Sequence, residues 1–232
     1  DVVLYDVENH EIFTTAALFS EERFETFPSF SPDGKNLYFS TAEACEMPDE
    51  YQKVKYSLCR VSFDPETKQF GTSVDTLFNA RLENKSASFP RVSPNGKYLL
   101  YTKGDYGGFF IWHKEADLFM YNMETGNHYP LTLANSSDAE SYHSWSSNSN
   151  WIVYGSRRID GLYTRPFVAY INDKGEAEKA FVVPQKEVEF YDYLMKSYNV
   201  PEFIKGKVKV SGYKIARVAK TNTGINVKFN EQ

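Results

Sequence analysis

The sequence predicts an all-β fold: a β-propeller of four-stranded antiparallel blades, about three and a half of them, with a short C-terminal helix and strand. Three observations predict it. Aromatic residues make up 16% of the 232 residues, and wide rings pack best on half-buried pleated surfaces. One hairpin pattern occurs three times. Between its copies, strand-length runs and turn signals alternate so that candidate strands come in fours, the repeat signature of propeller blades.

The repeated unit runs Phe27-Pro-Ser-Phe-Ser-Pro-Asp-Gly-Lys-Asn-Leu-Tyr-Phe-Ser-Thr41 and returns as Phe89-Pro-Arg-Val-Ser-Pro-Asn-Gly-Lys-Tyr-Leu-Leu-Tyr-Thr-Lys103. A weaker copy is Tyr142-His-Ser-Trp-Ser-Ser-Asn-Ser-Asn-Trp-Ile-Val-Tyr-Gly-Ser156. In the first two copies Pro32 and Pro94 preset φ, Asp33 and Asn95 bond to nearby backbone, and Gly34 and Gly96 take the left-handed conformation. These six residues are structural turn-formers. In the third copy Ser147 and Ser149 replace Pro and Gly, and Asn148 and Asn150 are the residues expected to tolerate the turn. Further strands are expected at 57–63 and 73–78, at 117–123 and 128–133, and at 166–172 and 179–183. The runs 2–7 and 12–19 read as the last two strands of an earlier blade. The organisation is then a half blade at 1–24, blades at about 25–80, 81–134 and 135–183, and an extension at 184–232.

The chain opens on a strand pattern with no starting Met, which suggests a mature or trimmed product. Closed propellers need roughly 4–8 blades, so the expectation is a C-terminal portion of a larger propeller, or a part that closes by self-association. The extension differs in charge, with nine Lys or Arg against five Asp or Glu, which leaves −9 on residues 1–183 out of a total of −5. Within it, 187–197 has near-helical apolar spacing ahead of Pro201, and 207–213 alternates Lys and Val like an edge strand. The extension is expected to dock on the acidic rim, or else to reach another domain or an anionic surface.

Net negative charge gives no support to nucleic-acid binding, and no apolar run reaches the roughly 18 residues of a membrane span. The sequence has no nucleophile elbow, P-loop, dinucleotide glycine pattern or haem-attachment motif. Cys45 and Cys59 flank an insertion between two strands and are a possible disulfide; two buried thiols are the alternative. His143, on an inner hairpin, could face the channel or be a hydrogen-bonded core residue. Trp145 lies beside it. Arg157, Arg158, Asp160, Tyr163 and Arg165 form the densest polar cluster, suited to a carboxylate or phosphate or to ion pairs within the fold. The glycine-rich loop 103–108 leads into Phe109-Phe110-Ile111-Trp112, a candidate exposed patch or an inter-blade packing element. No metal or cofactor site is expected.

The Ser-Pro-Asp-Gly-Lys hairpins resemble the WD-like repeats of TolB-type β-propellers, over residues 1 to about 183. His143-Ser-Trp-Ser, the run 155–161 and Tyr163-Thr-Arg-Pro resemble TolB-like proteins of Bacteroidetes-type bacteria. The resemblance implies a periplasmic or cell-envelope module, without catalysis of its own, that binds a protein or an envelope glycan. Two other functions fit the same repeats: a carbohydrate-cleaving propeller enzyme with a metal on channel histidines, or the propeller of a peptidase or sensor whose other domain lies elsewhere.

Overall fold

Three turns with one hydrogen-bond pattern organise the structure, a computed structural model that describes residues 1–221 and 224–231. In the first, Gly34 N–H donates to Ser31 O (2.9 Å) and Lys35 N–H to Asp33 Oδ1 (3.1 Å). In the second, Gly96 and Lys97 donate to Ser93 and Asn95 in the same way. In the third, Ser149 and Asn150 donate to Ser146 and Asn148. The left-handed residue is Gly34 (φ 71°), Gly96 (φ 74°) and, in the third, Ser149 (φ 64°). The sequence pointed to the flanking asparagines for that role. Ser149 holds it because its hydroxyl accepts the Asn95 N–H at 2.9 Å, which offsets strain that glycine would not feel.

Around these turns the chain builds three four-stranded antiparallel sheets. The first holds β3 (Arg23–Phe30), β4 (Asn36–Glu43), β5 (Ser57–Asp64) and β6 (Gln69–Phe78). A helical turn, α1 (Ala80–Glu83), leads into the second, which holds β7 (Ser86–Val92), β8 (Tyr98–Gly104), β9 (Asp117–Asn122) and β10 (His128–Pro130). The third holds β11 (Glu140–Trp145), β12 (Trp151–Ser156), β13 (Arg165–Tyr170) and β14 (Phe181–Val182). The first strands, β3, β7 and β11, run side by side at the hub. Ahead of the first blade, β1 (Leu4–Asp6) and β2 (Glu11–Thr14) pair antiparallel. The fold is a partial β-propeller.

Middle strands are buried on both faces, which explains their unbroken apolar runs. Alternate residues of β8 serve different cores. Leu99 and Tyr101 pack with Tyr38, Leu58 and Phe78 of the first blade. Tyr98 and Leu100 pack with Ile152, Tyr154 and Phe167 of the third. Leu37 and Phe39 of β4 turn the other way, against Val2 and Leu18. The aromatic content is therefore largely the filling between blades.

The extension departs from expectation in detail. Only one helical turn, α2 (Phe190–Tyr193), forms in 187–197, and no strand forms at 207–213. The Lys-Val alternation there finds no partner strand. The backbone instead coils helically from the cap Ser211, whose Oγ accepts the Lys214 N–H, into α3 (Gly212–Ala219). The terminal strand lies further on: β15 (Lys228–Glu231) pairs in parallel with β2, Lys228 opposite Glu11.

Cys45 and Cys59 are free thiols. Cys59 sits opposite Phe39 in the β4–β5 register, while Cys45 lies past the end of β4. The strands that make them neighbours in sequence hold them apart along the strand axis. Cys45 Sγ faces Glu50 O, and Cys59 Sγ faces Thr76 Oγ1.

Candidate functional site

The polar cluster around Arg157, Arg158 and Arg165 is engaged inside the fold. Arg158 pairs with buried Glu140 at 2.9 Å, bonds Ser156 Oγ at 2.9 Å, and lies over the Phe167 ring at 4.4 Å. Burial pushes the Glu140 carboxyl up, against the lowering by Ser136, Arg158 and Ser156. Arg157 reaches Ile111 O and Gly161 O and covers the Trp112 ring at 4.9 Å. Asp160 Oδ1 accepts the N–H groups of Leu162 and Tyr163, both at 2.8 Å.

Arg165, 1% exposed, is a latch. Its guanidinium donates to the carbonyl oxygens of Lys196 (2.6 Å), Leu194 (2.7 Å) and Tyr191 (3.1 Å), between the rings of Tyr163 and Tyr191. Ser144 Oγ to Pro201 O and Tyr198 N–H to Thr164 O continue the seam. An arginine of the third blade thus grips backbone oxygens of the extension. The extension docks mainly through this contact; among the described residues its ion pair with the acidic body is Lys228 with Glu11 at 3.4 Å.

His143 is buried too. Its Nε2 lies 2.7 Å from Phe89 O and 3.1 Å from Leu100 O, and its Nδ1 lies 3.4 Å from Thr102 Oγ1. Burial, then the nearby Arg91 charge, lowers its pKa to about 3. It is neutral and almost wholly enclosed by these partners. Trp145 Nε1–H ties the third blade to the second through Arg91 O at 3.0 Å. Among the described residues, no three His, Cys, Asp or Glu side chains stand close enough to share a metal ion.

A different set of residues gathers into an open site. Each hub strand carries a bulge after Thr26, Ser88 or Ser141. At each bulge an aromatic residue has positive φ: Phe27 (52°), Phe89 (57°) and Tyr142 (56°). The extra residue of a bulge re-aims the side chain, and here the three rings meet. Phe27 and Phe89 centroids are 4.1 Å apart, Phe89 and Tyr142 5.2 Å. Phe27 continues to Phe109 at 5.6 Å and Tyr56 at 6.4 Å. Beyond them lies a cleft of about 400 Å³ between the first and second blades, walled by Phe24, Met47, Tyr51, Tyr56, Tyr106 and Phe109. His113 is its one imidazole, and among the described residues no Lys, Arg, Asp or Glu lines it.

Backbone contacts fix this cleft. Gly107 N–H donates to Val54 O at 2.7 Å, Ser86 Oγ to Gly107 O at 2.6 Å, and Ser88 Oγ to Gly108 O at 2.9 Å. Gly108 is required by space, since a Cβ there would stand 2.6 Å from the Phe27 ring. The loop thereby delivers Phe109, 65% exposed, to the surface, while Phe110 and Ile111 are buried. The sequence patch 109–112 is thus divided between site and packing. The aromatic first position of the repeat was the signal for Phe27, Phe89 and Tyr142; Phe24, Met47, Tyr51, Tyr56 and Tyr106 carried none.

No protein-family model and no curated protein matches the sequence. Solved structures do. TolB from Acinetobacter baumannii is 20% identical with a TM-score of 0.44, over 67% of this chain and 31% of that one. The β-propeller domain of the Trilobed protease from Pyrococcus furiosus is 12% identical with a TM-score of 0.41, over 72% and 44%. A Mycobacterium tuberculosis puromycin-hydrolyzing peptidase is 10% identical with a TM-score of 0.45, over 70% and 22%. The chain spans less than half the length of each of these proteins.

Proposed function

We propose that this propeller is a binding module without catalysis of its own, which presents its aromatic track to a protein partner or an envelope glycan in the periplasm or cell envelope. The carrying observation is the run of rings from Tyr142 through Phe89 and Phe27 to Phe109, opening into a cleft with no charged wall. Such a surface gains energy from flat, weakly polar ligand faces, each well-placed ring pair adding about 0.5–1.5 kcal/mol beyond burial. It offers no ion pair to a charged ligand. The phenol groups of Tyr51, Tyr56 and Tyr106 supply hydrogen bonds at the ring edges, as pocket recognition requires. Support for the envelope comes from the likeness of the Ser-Pro-Asp-Gly-Lys hairpins to TolB-type repeats.

The test is site-specific photo-crosslinking in cells with a photoreactive phenylalanine at Phe109, compared with the same label at Phe181 on the outer strand β14. A discrete product from position 109 that is lost on Tyr106→Ala supports the reading. Equal labelling from both positions refutes it.

A further inference from the structure

The segment between the Arg165 latch and β15 is an arch pinned at both ends. It leaves the third blade at Pro201, held by Ser144, and returns to the body at Lys228, opposite Glu11. Between these points lies a basic, apolar stretch. Residues 203–220 carry Lys205, Lys207, Lys209, Lys214, Arg217 and Lys220 and no acidic residue. Among the described residues none of these six takes part in an ion pair. Ile204, Val208, Tyr213, Ile215, Val218 and Ile225 are all more than half exposed, and α3 buries none of its residues.

Within the helix the aliphatic and basic residues are sorted by side. In α3, Ile215, Val218 and Ala219 share one face at i, i+3, i+4 spacing; Arg217 and the C-cap Lys220 lie on the opposite face with Tyr213, and Lys214 borders the apolar face. Before it, Lys205, Lys207 and Lys209 alternate with Val208 and Val210 in non-helical backbone. Charge alone would suit any polyanion, and an apolar stripe alone would suit any groove. Anionic headgroups over hydrocarbon take both together. Because basic and exposed apolar residues run on through helix and coil alike, they match a broad surface better than a groove cut to one helix. The −9 body would be repelled from such a surface, so contact would be made arch first.

We infer that the arch 203–220 docks on an anionic phospholipid surface. This rests on residues separate from the aromatic cleft and stands or falls independently of it. The experiment is co-sedimentation of the full chain with phosphatidylcholine vesicles, with and without phosphatidylglycerol. Binding to the anionic vesicles is expected to exceed binding to the neutral ones by at least about tenfold, and to fall as salt is raised from about 0.1 M to about 1 M. The pair Ile215→Asp/Val218→Asp is expected to lower it by about tenfold without changing thermal unfolding, since both side chains are exposed. Equal binding to the two vesicle types, or none to either, overturns the inference, the latter pointing to an acidic protein partner. Full retention of binding by Ile215→Asp/Val218→Asp also overturns it, because neither the apolar face nor the local charge would then matter.

Discussion

Arg165→Met should release the extension from the third blade. The guanidinium makes three hydrogen bonds to carbonyl oxygens, at 2.6, 2.7 and 3.1 Å. Hydrogen bonds to a charged group are worth about 1.5–3 kcal/mol each, a gross loss of about 4–9 kcal/mol. Two effects reduce it. Burying an ion costs several kcal/mol, which methionine does not incur, and the freed carbonyls of a surface segment regain water. A net loss of about 2–4 kcal/mol remains. At about 2–4 °C per kcal/mol for a chain of this size, melting should fall by about 4–16 °C. Hydrogen exchange read by mass spectrometry should show lost protection over 190–198, where Tyr198 N–H is bonded to Thr164 O. A melting change under about 1 °C with unaltered exchange over those residues would refute the latch.

Other perturbations follow from buried groups and turns. His143 has a folded pKa of about 3, below its ordinary 6.5, so protons bind the unfolded chain first. Its contribution is intact above about pH 6.5 and is lost as pH falls toward 3. At about 1.36 kcal/mol per pH unit, denaturant titration at pH 5 should show wild type losing about 2 kcal/mol more than His143→Gln loses from the same drop. Glu25, 3% exposed, has no hydrogen-bond partner for either carboxylate oxygen, and burial raises its pKa against the lowering by the nearby N-terminal ammonium and Arg23 charges. Glu25→Gln should therefore stabilise the protein by about 1 kcal/mol at pH 7–8, with the gain vanishing below the ordinary carboxylate range. Ser149→Ala keeps the strained backbone and loses the bond from Asn95, so chemical denaturation should show a loss of about 1–2 kcal/mol. Ser149→Gly relieves the strain it loses support for and should be near neutral.

What the sequence disclosed was local chemistry. The turns at Ser31, Ser93 and Ser146 are legible because each uses residues within five positions of one another. The double-faced middle strands are legible because apolar runs bounded by turns have few other uses. The remainder depends on distance in sequence. Arg165 bonds to backbone oxygens, which every residue carries, so nothing in residues 191–196 marks them as its partners. The pairing of Lys228 with Glu11 spans nearly the whole chain. At 207–213 the Lys-Val alternation overlaps the start of a helical pattern, and a free edge to receive a strand would have decided the matter; Ser211 decides it as a cap. The arginine cluster looked like a ligand site because composition cannot tell a guanidinium facing solvent from one consumed by Glu140 or by carbonyl groups.

The bulges give the aromatic track its physical meaning. A bulky residue at positive φ is costly, and one that precedes proline, as Phe27 and Phe89 do, is further restricted. Each such site stores about 1–3 kcal/mol. The ring contacts around them return about 0.5–1.5 kcal/mol per pair, so packing alone leaves the geometry near break-even. What only the bulge achieves is to turn the ring off the blade face and toward the other hub strands. The third blade has lost the proline and the turn glycine, yet it keeps both the positive φ and the aromatic ring at Tyr142. The repeat is loose in its turn chemistry and strict in ring placement. Strain held in three blades for one shared surface supports the proposal that the track binds a ligand.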